Sequence, residues 1–97
     1  MEINAQELAQ LLNGTVEGDP QVKVNQPSKI EEGGPGTITF LANPKYETYA
    51  YTTTASILLV GRDFRPSQPI IPTLIRVDDV YASIGILLNK FGEQQQQ

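Results

Sequence analysis

The chain has 97 residues, 39% of them hydrophobic, a net charge of −4, and neither cysteine nor histidine. This is one domain's worth of globular sequence, able to bury about two-thirds of its unfolded surface, and it excludes disulfide frameworks, thiolate or imidazole metal sites, and serine–histidine or cysteine–histidine catalysis. No Lys/Arg run supplies a basic stripe, so a nucleic-acid partner is not expected, and no apolar run approaches the roughly 18 residues that span a bilayer.

The opening "MEINAQ" is acidic and polar, unlike a secretory signal, so the expected compartment is the cytoplasm. Asn4 has the character of an N-cap, with Glu7 three residues on to complete a capping box. Ile3 is placed to staple onto Leu8. Ala5, Leu8, Ala9 and Leu12 recur at helical spacing and define a buried face. Gly14 is expected in the C′ position that stops this helix. Strand-like pieces follow near "TVEG" and "QVKVNQ", joined by the turn residues Gly18, Asp19 and Pro20. Val22 and Val24 alternate with Lys23, which gives one dry and one wet face.

The loop "PSKIEEGGPG" leads into "TITFLA", a buried strand. Asn43 caps a short helix with Pro44 at its first position, where the missing N–H costs nothing. The threonines at 52–54 end it. "ASILLV" and "LIRV" are two more strands, linked by the proline-punctuated "FRPSQPIIPT". Asp78 or Asp79 caps a last helix over 79–91, with Val80, Ile84, Leu87 and Phe91 on its apolar stripe and Tyr81 and Leu88 off it. Gly85 weakens that helix by about 1 kcal/mol relative to alanine unless something packs closely there. The domain is expected to cover residues 1–92, with 93–97 a polar tail. The alternation predicts a small two-layer α/β domain, helices on a mixed sheet. Carboxylates could still act as acid and base, but the pairs at 31–32 and 78–79 read as a loop and a helix start, respectively, rather than as a tuned pair. No catalytic residue, metal site or cofactor is assigned.

The stretch "ITFLANPKY" (38–46) draws the functional question. Ile38 and Phe40 share a strand face, and Tyr46 falls on the first turn of the next helix. If Asn43 reverses the chain, the two rings stand opposite each other. They are then either packed core or the two walls of a slot for a flat ligand. In the second case Asn43 offers donors and an acceptor to a base edge or a ribose hydroxyl. The free N–H groups of the helix start would add donors for a carbonyl or phosphate oxygen.

"FLANPKY", within "IEEGGPGTITFLANPKYETYAYTTTASILLV" and followed by "TLIRVDDVYASIGILLNKF", resembles the N-terminal domain of the UDP-3-O-acylglucosamine N-acyltransferases, the LpxD family of lipid A biosynthesis. The resemblance covers nearly the whole chain. It implies a uridine-recognition domain, on a scaffold similar to the N-terminal domain of Mur ligases. Phe40 and Tyr46 would sandwich the uracil, Asn43 would hydrogen-bond the nucleoside, and Ile30 would line the same pocket. In the family a β-helix of hexapeptide repeats follows. It carries the catalytic histidine, forms the homotrimer and binds acyl carrier protein. This sequence shows no such repeat, so the expectation is a non-catalytic piece whose ligand is UDP-3-O-acylglucosamine, held through its uridine. The other readings are a uridine-nucleotide module of a Mur-ligase-like protein and a docking module with no ligand.

Overall fold

The structure, a computed structural model, describes residues 2–95. Strand β1 (Ile3–Asn4) runs straight into helix α1 (Ala5–Leu12). The capping box forms as its residues dictate: Glu7 N donates to Asn4 Oδ1 at 2.8 Å and Asn4 N to Glu7 Oε1 at 3.2 Å. Ala5, Leu8, Ala9 and Leu12 are buried. The helix ends differently from expectation. The left-handed residue is Asn13 (φ 57°), a residue type that tolerates this region, and Gly14 N closes the turn by donating to Ala9 O at 2.7 Å. Gly14 serves close packing instead. A Cβ there would lie 2.7 Å from Arg76 O and 2.9 Å from Val77 Cγ1.

Six further strands follow: β2 (Thr15–Glu17), β3 (Lys23–Val24), β4 (Gln26–Pro27), β5 (Thr37–Phe40), β6 (Ile57–Gly61) and β7 (Thr73–Val77). Strand β3 pairs antiparallel with β1. The other five form one mixed sheet in the order β2-β7-β6-β5-β4, with β4 to β7 parallel and β2 antiparallel to β7. The pieces near "TVEG" and "QVKVNQ" therefore do not make a hairpin. The turn at Gly18 (φ +118°) carries the chain from one sheet to the other, and "QVKVNQ" is split between β3 and β4.

Helix α2 (Glu47–Ala50) follows a 3-10 turn (Pro44–Tyr46), and helix α3 (Val80–Gln95) follows β7. One sheet face packs Ile38, Ile57, Leu59, Ile75 and Val77 against α1 and against Leu87 and Phe91 of α3. The other packs Leu58, Val60 and Leu74 against Ile30, Leu41 and Ala50. This alternation is the period-2 rule of a strand. It gives the predicted small α/β domain, with α1 and α3 layered on one face and α2 and the loops closing the other.

Asp79 is the residue that caps α3, its Oδ1 accepting from Ala82 N at 3.1 Å. Tyr81 and Leu88 lie off the stripe as expected, 68% and 54% exposed. A Cβ at Gly85 would meet nothing within 4 Å, so no close contact explains that glycine. Helix α3 continues past Gly92 into the predicted polar tail as far as Gln95; Glu and Gln are good helix formers. Gln96 and Gln97 lie outside the described residues.

Two arginines clip the antiparallel edge. Arg76 pairs with Glu17, and its Nη1 reaches the carbonyls of Arg62 and Phe64. Arg62 pairs with Asp78 and donates to Thr15 Oγ1 and Asn13 O, both at 2.9 Å. The hydrogen bond from Arg76 holds the Glu17 carboxyl below its ordinary value of 4.5.

Two predictions follow from these contacts. Gly14→Ala is expected to cost about 1–3 kcal/mol, because the new methyl meets backbone that must shift, whereas Asn13→Gly changes stability by less than about 1 kcal/mol. Urea denaturation of both variants checks this. For Glu17, a pKa lowered by folding contributes stability above the unfolded value, and that contribution is lost as pH falls through the folded value. Glu17→Gln is therefore expected to flatten the stability–pH curve below about pH 4.5, by no more than the roughly 0.2–1 kcal/mol of an exposed ion pair.

Candidate functional site

Strand β5 ends at Phe40, and the chain turns within three residues. Asn43 sits at φ −120°, ψ 122° and caps the 3-10 turn, its Oδ1 accepting from Lys45 N at 3.0 Å. Pro44 occupies the first position of that turn, where no N–H is needed. Tyr46 N donates to Asn43 O at 3.0 Å, and Glu47 N donates to Pro44 O. The N–H groups of the helix start are thus in use inside the corner. The expectation that they stand free for a ligand oxygen is corrected: a tight 3-10 turn consumes them, where a regular α-helix would leave them open.

The side chains that the sequence singles out come together. Phe40, Asn43, Tyr46 and Ile30 line one cleft of about 360 Å³, with Lys29, Glu31, Ala42 and Tyr81 completing it. Phe40 is half-buried and also packs against the α1–α3 core. Ile30 is 7% exposed and belongs to the core on the opposite face, so the cleft opens where the two cores meet at the end of β5. Tyr46 is 37% exposed. Its ring lies 6.2 Å from that of Tyr49, tilted by 36°, and Lys45 Nζ stands 5.7 Å from its centroid. Both distances fall in the attractive range for aromatic and cation–π pairs. With Asn43 Oδ1 committed to Lys45 N, the Nδ2 amide is the part of that side chain left to donate outward.

Tyr81 was not among the residues singled out for the site. In sequence it stands 35 positions beyond Tyr46, and its only signal is a large ring off the apolar stripe of α3. What brings it to the cleft is topology: α3 starts at the carboxyl end of β7, and β5 ends on the same side of the sheet. Clefts at the carboxyl ends of parallel strands are the common ligand position in α/β folds. A second, wider cleft adjoins the first and shares Ala42 and Tyr81 with it. Its rim carries Glu47, Asp63, Asp78 and Asp79 against Arg65. Among the described residues no group of His, Cys, Asp and Glu is arranged to hold a metal ion, and no helix is long and apolar enough to cross a membrane.

A small α/β domain with an aromatic-rimmed cleft at its strand ends is the class that these observations define. Comparison with known proteins gives the family. Residues 21–89 match the family described as UDP-3-O-(3-hydroxymyristoyl) glucosamine N-acyltransferase, LpxD, and the chain belongs to that family. It is 44% identical over 93 residues to a UDP-3-O-acylglucosamine N-acyltransferase of Christiangramia forsetii, covering 96% of the chain and 27% of the relative. Over 91 residues it is 47% identical to the protein of that name from Bacteroides thetaiotaomicron, covering 94% and 26%. A relative of the same name from Syntrophus aciditrophicus is 43% identical over 98 residues, covering 100% and 26%. The chain thus spans about a quarter of the length of these relatives.

The different settings of the two rings predict different costs of truncation. Phe40→Ala is expected to lose about 2–3 kcal/mol of stability, because the ring also fills core. Tyr46→Ala is expected to lose about 1 kcal/mol or less, because much of that ring is wet. Thermal and urea unfolding of the two variants compares them directly.

Proposed function

We propose that this chain is the uridine-recognition domain, N-terminal in its parent, of a UDP-3-O-acylglucosamine N-acyltransferase of lipid A biosynthesis. The observation that carries the reading is the convergence of Phe40, Asn43, Tyr46 and Ile30 on one cleft; these are the residues that the family resemblance implicates in uracil binding. The cleft volume, about 360 Å³, lies within the ordinary range for small-molecule sites. In this reading the uracil lies between the rings of Phe40 and Tyr46 and gains stacking on the order of 1–3 kcal/mol. Asn43 Nδ2 donates to a uracil carbonyl. Cytosine replaces one carbonyl by an amino group, which sets donor against donor at that edge and weakens binding.

The chain itself contributes recognition, not chemistry. The parent enzyme transfers a 3-hydroxyacyl group from acyl carrier protein to the 2-amine of the UDP-sugar, as a homotrimer in the cytoplasm. The surface for the acyl carrier protein, the catalytic histidine and the trimer contacts belong, in this reading, to parts of the parent outside this sequence. A scaffold shared with Mur ligases accounts for a similar use of the nucleotide end of a UDP-sugar.

The test is an NMR titration of the 97-residue chain with UMP and CMP. Two stacked faces and one or two hydrogen bonds must offset the cost of association, so the expected UMP Kd is near 1 mM, roughly −4 kcal/mol. Amide shifts concentrated at 40–46, weaker CMP binding, and loss of detectable binding in Tyr46→Ala are the expected results. Shifts that avoid residues 40–46, or equal responses to UMP and CMP, would overturn the reading.

A further inference from the structure

Tyr81 is the one ring of the cleft that does not come from the β5 corner. It lies in the first turn of α3, whose start is fixed by the bond from Ala82 N to Asp79 Oδ1 at 3.1 Å. Helical residues close to a formed cap have little freedom of backbone, so the Tyr81 ring is presented from a rigid base. It is 68% exposed, and nothing in the packing of α3 requires it: the core side of that helix is made by Val80, Ile84, Leu87 and Phe91. Yet it stands at one particular place. Tyr81 and Ala42 are the residues common to the aromatic cleft and to its wider neighbour, so together they form the divide between the two.

The charges on either side of that divide differ. Beyond it, with Asp78 neutralised by Arg62, Glu47, Asp63 and Asp79 still outnumber Arg65 on the rim of the wider cleft. On the near side the aromatic cleft has Lys29 and Glu31, which offset each other. A phosphate crossing past Tyr81 would meet a net excess of carboxylates, an unfavourable approach for an anion. A neutral ring system meets no such penalty there.

We propose that Tyr81 is a third aromatic residue of the uridine site, one that contacts the neutral nucleoside and keeps the phosphate end of the ligand out of the acidic cleft. The inference rests on the reading of the aromatic cleft as a uridine site and adds to it a residue from a different element and an orientation for the ligand. With both faces of the base taken by Phe40 and Tyr46, the Tyr81 ring covers the ribose, a contact that needs no hydroxyl, so Tyr81→Phe preserves the function and Tyr81→Ala removes it. Because the contact is with the nucleoside, the loss is the same whether or not a phosphate is attached.

The experiment measures Kd by NMR for uridine and for UMP with the unsubstituted chain, Tyr81→Phe and Tyr81→Ala. Urea denaturation of each variant reports on the fold, which an exposed side chain is not expected to perturb. Tyr81→Ala is expected to weaken both ligands by about 5-fold, through loss of the apolar contact between the ring and the ribose, and Tyr81→Phe by less than about 2-fold. Normal UMP binding with Tyr81→Ala unchanged would overturn the role of Tyr81 and leave the uridine site standing. A loss seen with UMP but not with uridine would overturn the proposed orientation. No binding of either ligand by the unsubstituted chain would overturn the uridine site and this inference with it.

Discussion

Strand β6 is the constraint on which the rest of the domain depends. Ile57, Leu58, Leu59 and Val60 are all fully buried. Ile57 and Leu59 enter the core under α1 and α3, and Leu58 and Val60 enter the core on the opposite face. A strand with no wet face has to lie inside the sheet, and here its two neighbours are parallel strands, the arrangement whose faces are both covered. The parallel register then sets Phe40 opposite Leu59. That pairing places the end of β5, and the turn that follows it, at the carboxyl edge of the sheet beside the start of α3. A one-residue slip of β5 would exchange its two faces, turning Phe40 away from the cleft and Thr39 into the α1–α3 core.

The corner itself uses its polar groups economically. Asn43 has two tasks that do not compete. Its oxygen secures the 3-10 turn through Lys45 N, and its amide N–H2 remains for a partner. The backbone donors that a looser helix start would present are consumed within the turn. In the proposed uridine reading, recognition at this corner falls to the ring faces and to the Asn43 amide. That reading favours a flat, neutral heterocycle over a phosphate at the corner. Carboxylates gather across Tyr81, on the rim of the wider cleft.

Much of this was legible in the sequence because it is written in local terms. The capping box at Asn4 and Glu7, the strand alternation around Ile38 and Phe40, and the cap at Asn43 each depend on neighbours within a few residues. The stripe of α3 was equally plain from its period. Three things were not. Gly14 looked like a helix stop, because a glycine after Leu12 fits that rule. Its actual constraint is the approach of Arg76 and Val77, more than sixty residues away in sequence, and Asn13 took the left-handed conformation. The pieces around Gly18 read as strands joined by a turn, but that β2 and β3 belong to different sheets was not legible, since strands of two or three residues carry too little pattern to choose a partner. Tyr81 was visible as an odd ring on α3, but its place in the cleft follows from strand order, which no local pattern encodes.

The family assignment and the fold are independent of whether a uracil enters the cleft, so the central claim is about contact. Intermolecular NOEs between UMP and the labelled chain test that contact at the level of single protons. If the base lies between the two rings, the uracil H5 and H6 protons show NOEs to ring protons of both Phe40 and Tyr46. NOEs to neither ring, at UMP concentrations that saturate the amide shifts, would contradict the account and leave Phe40 and Tyr46 as packing residues alone.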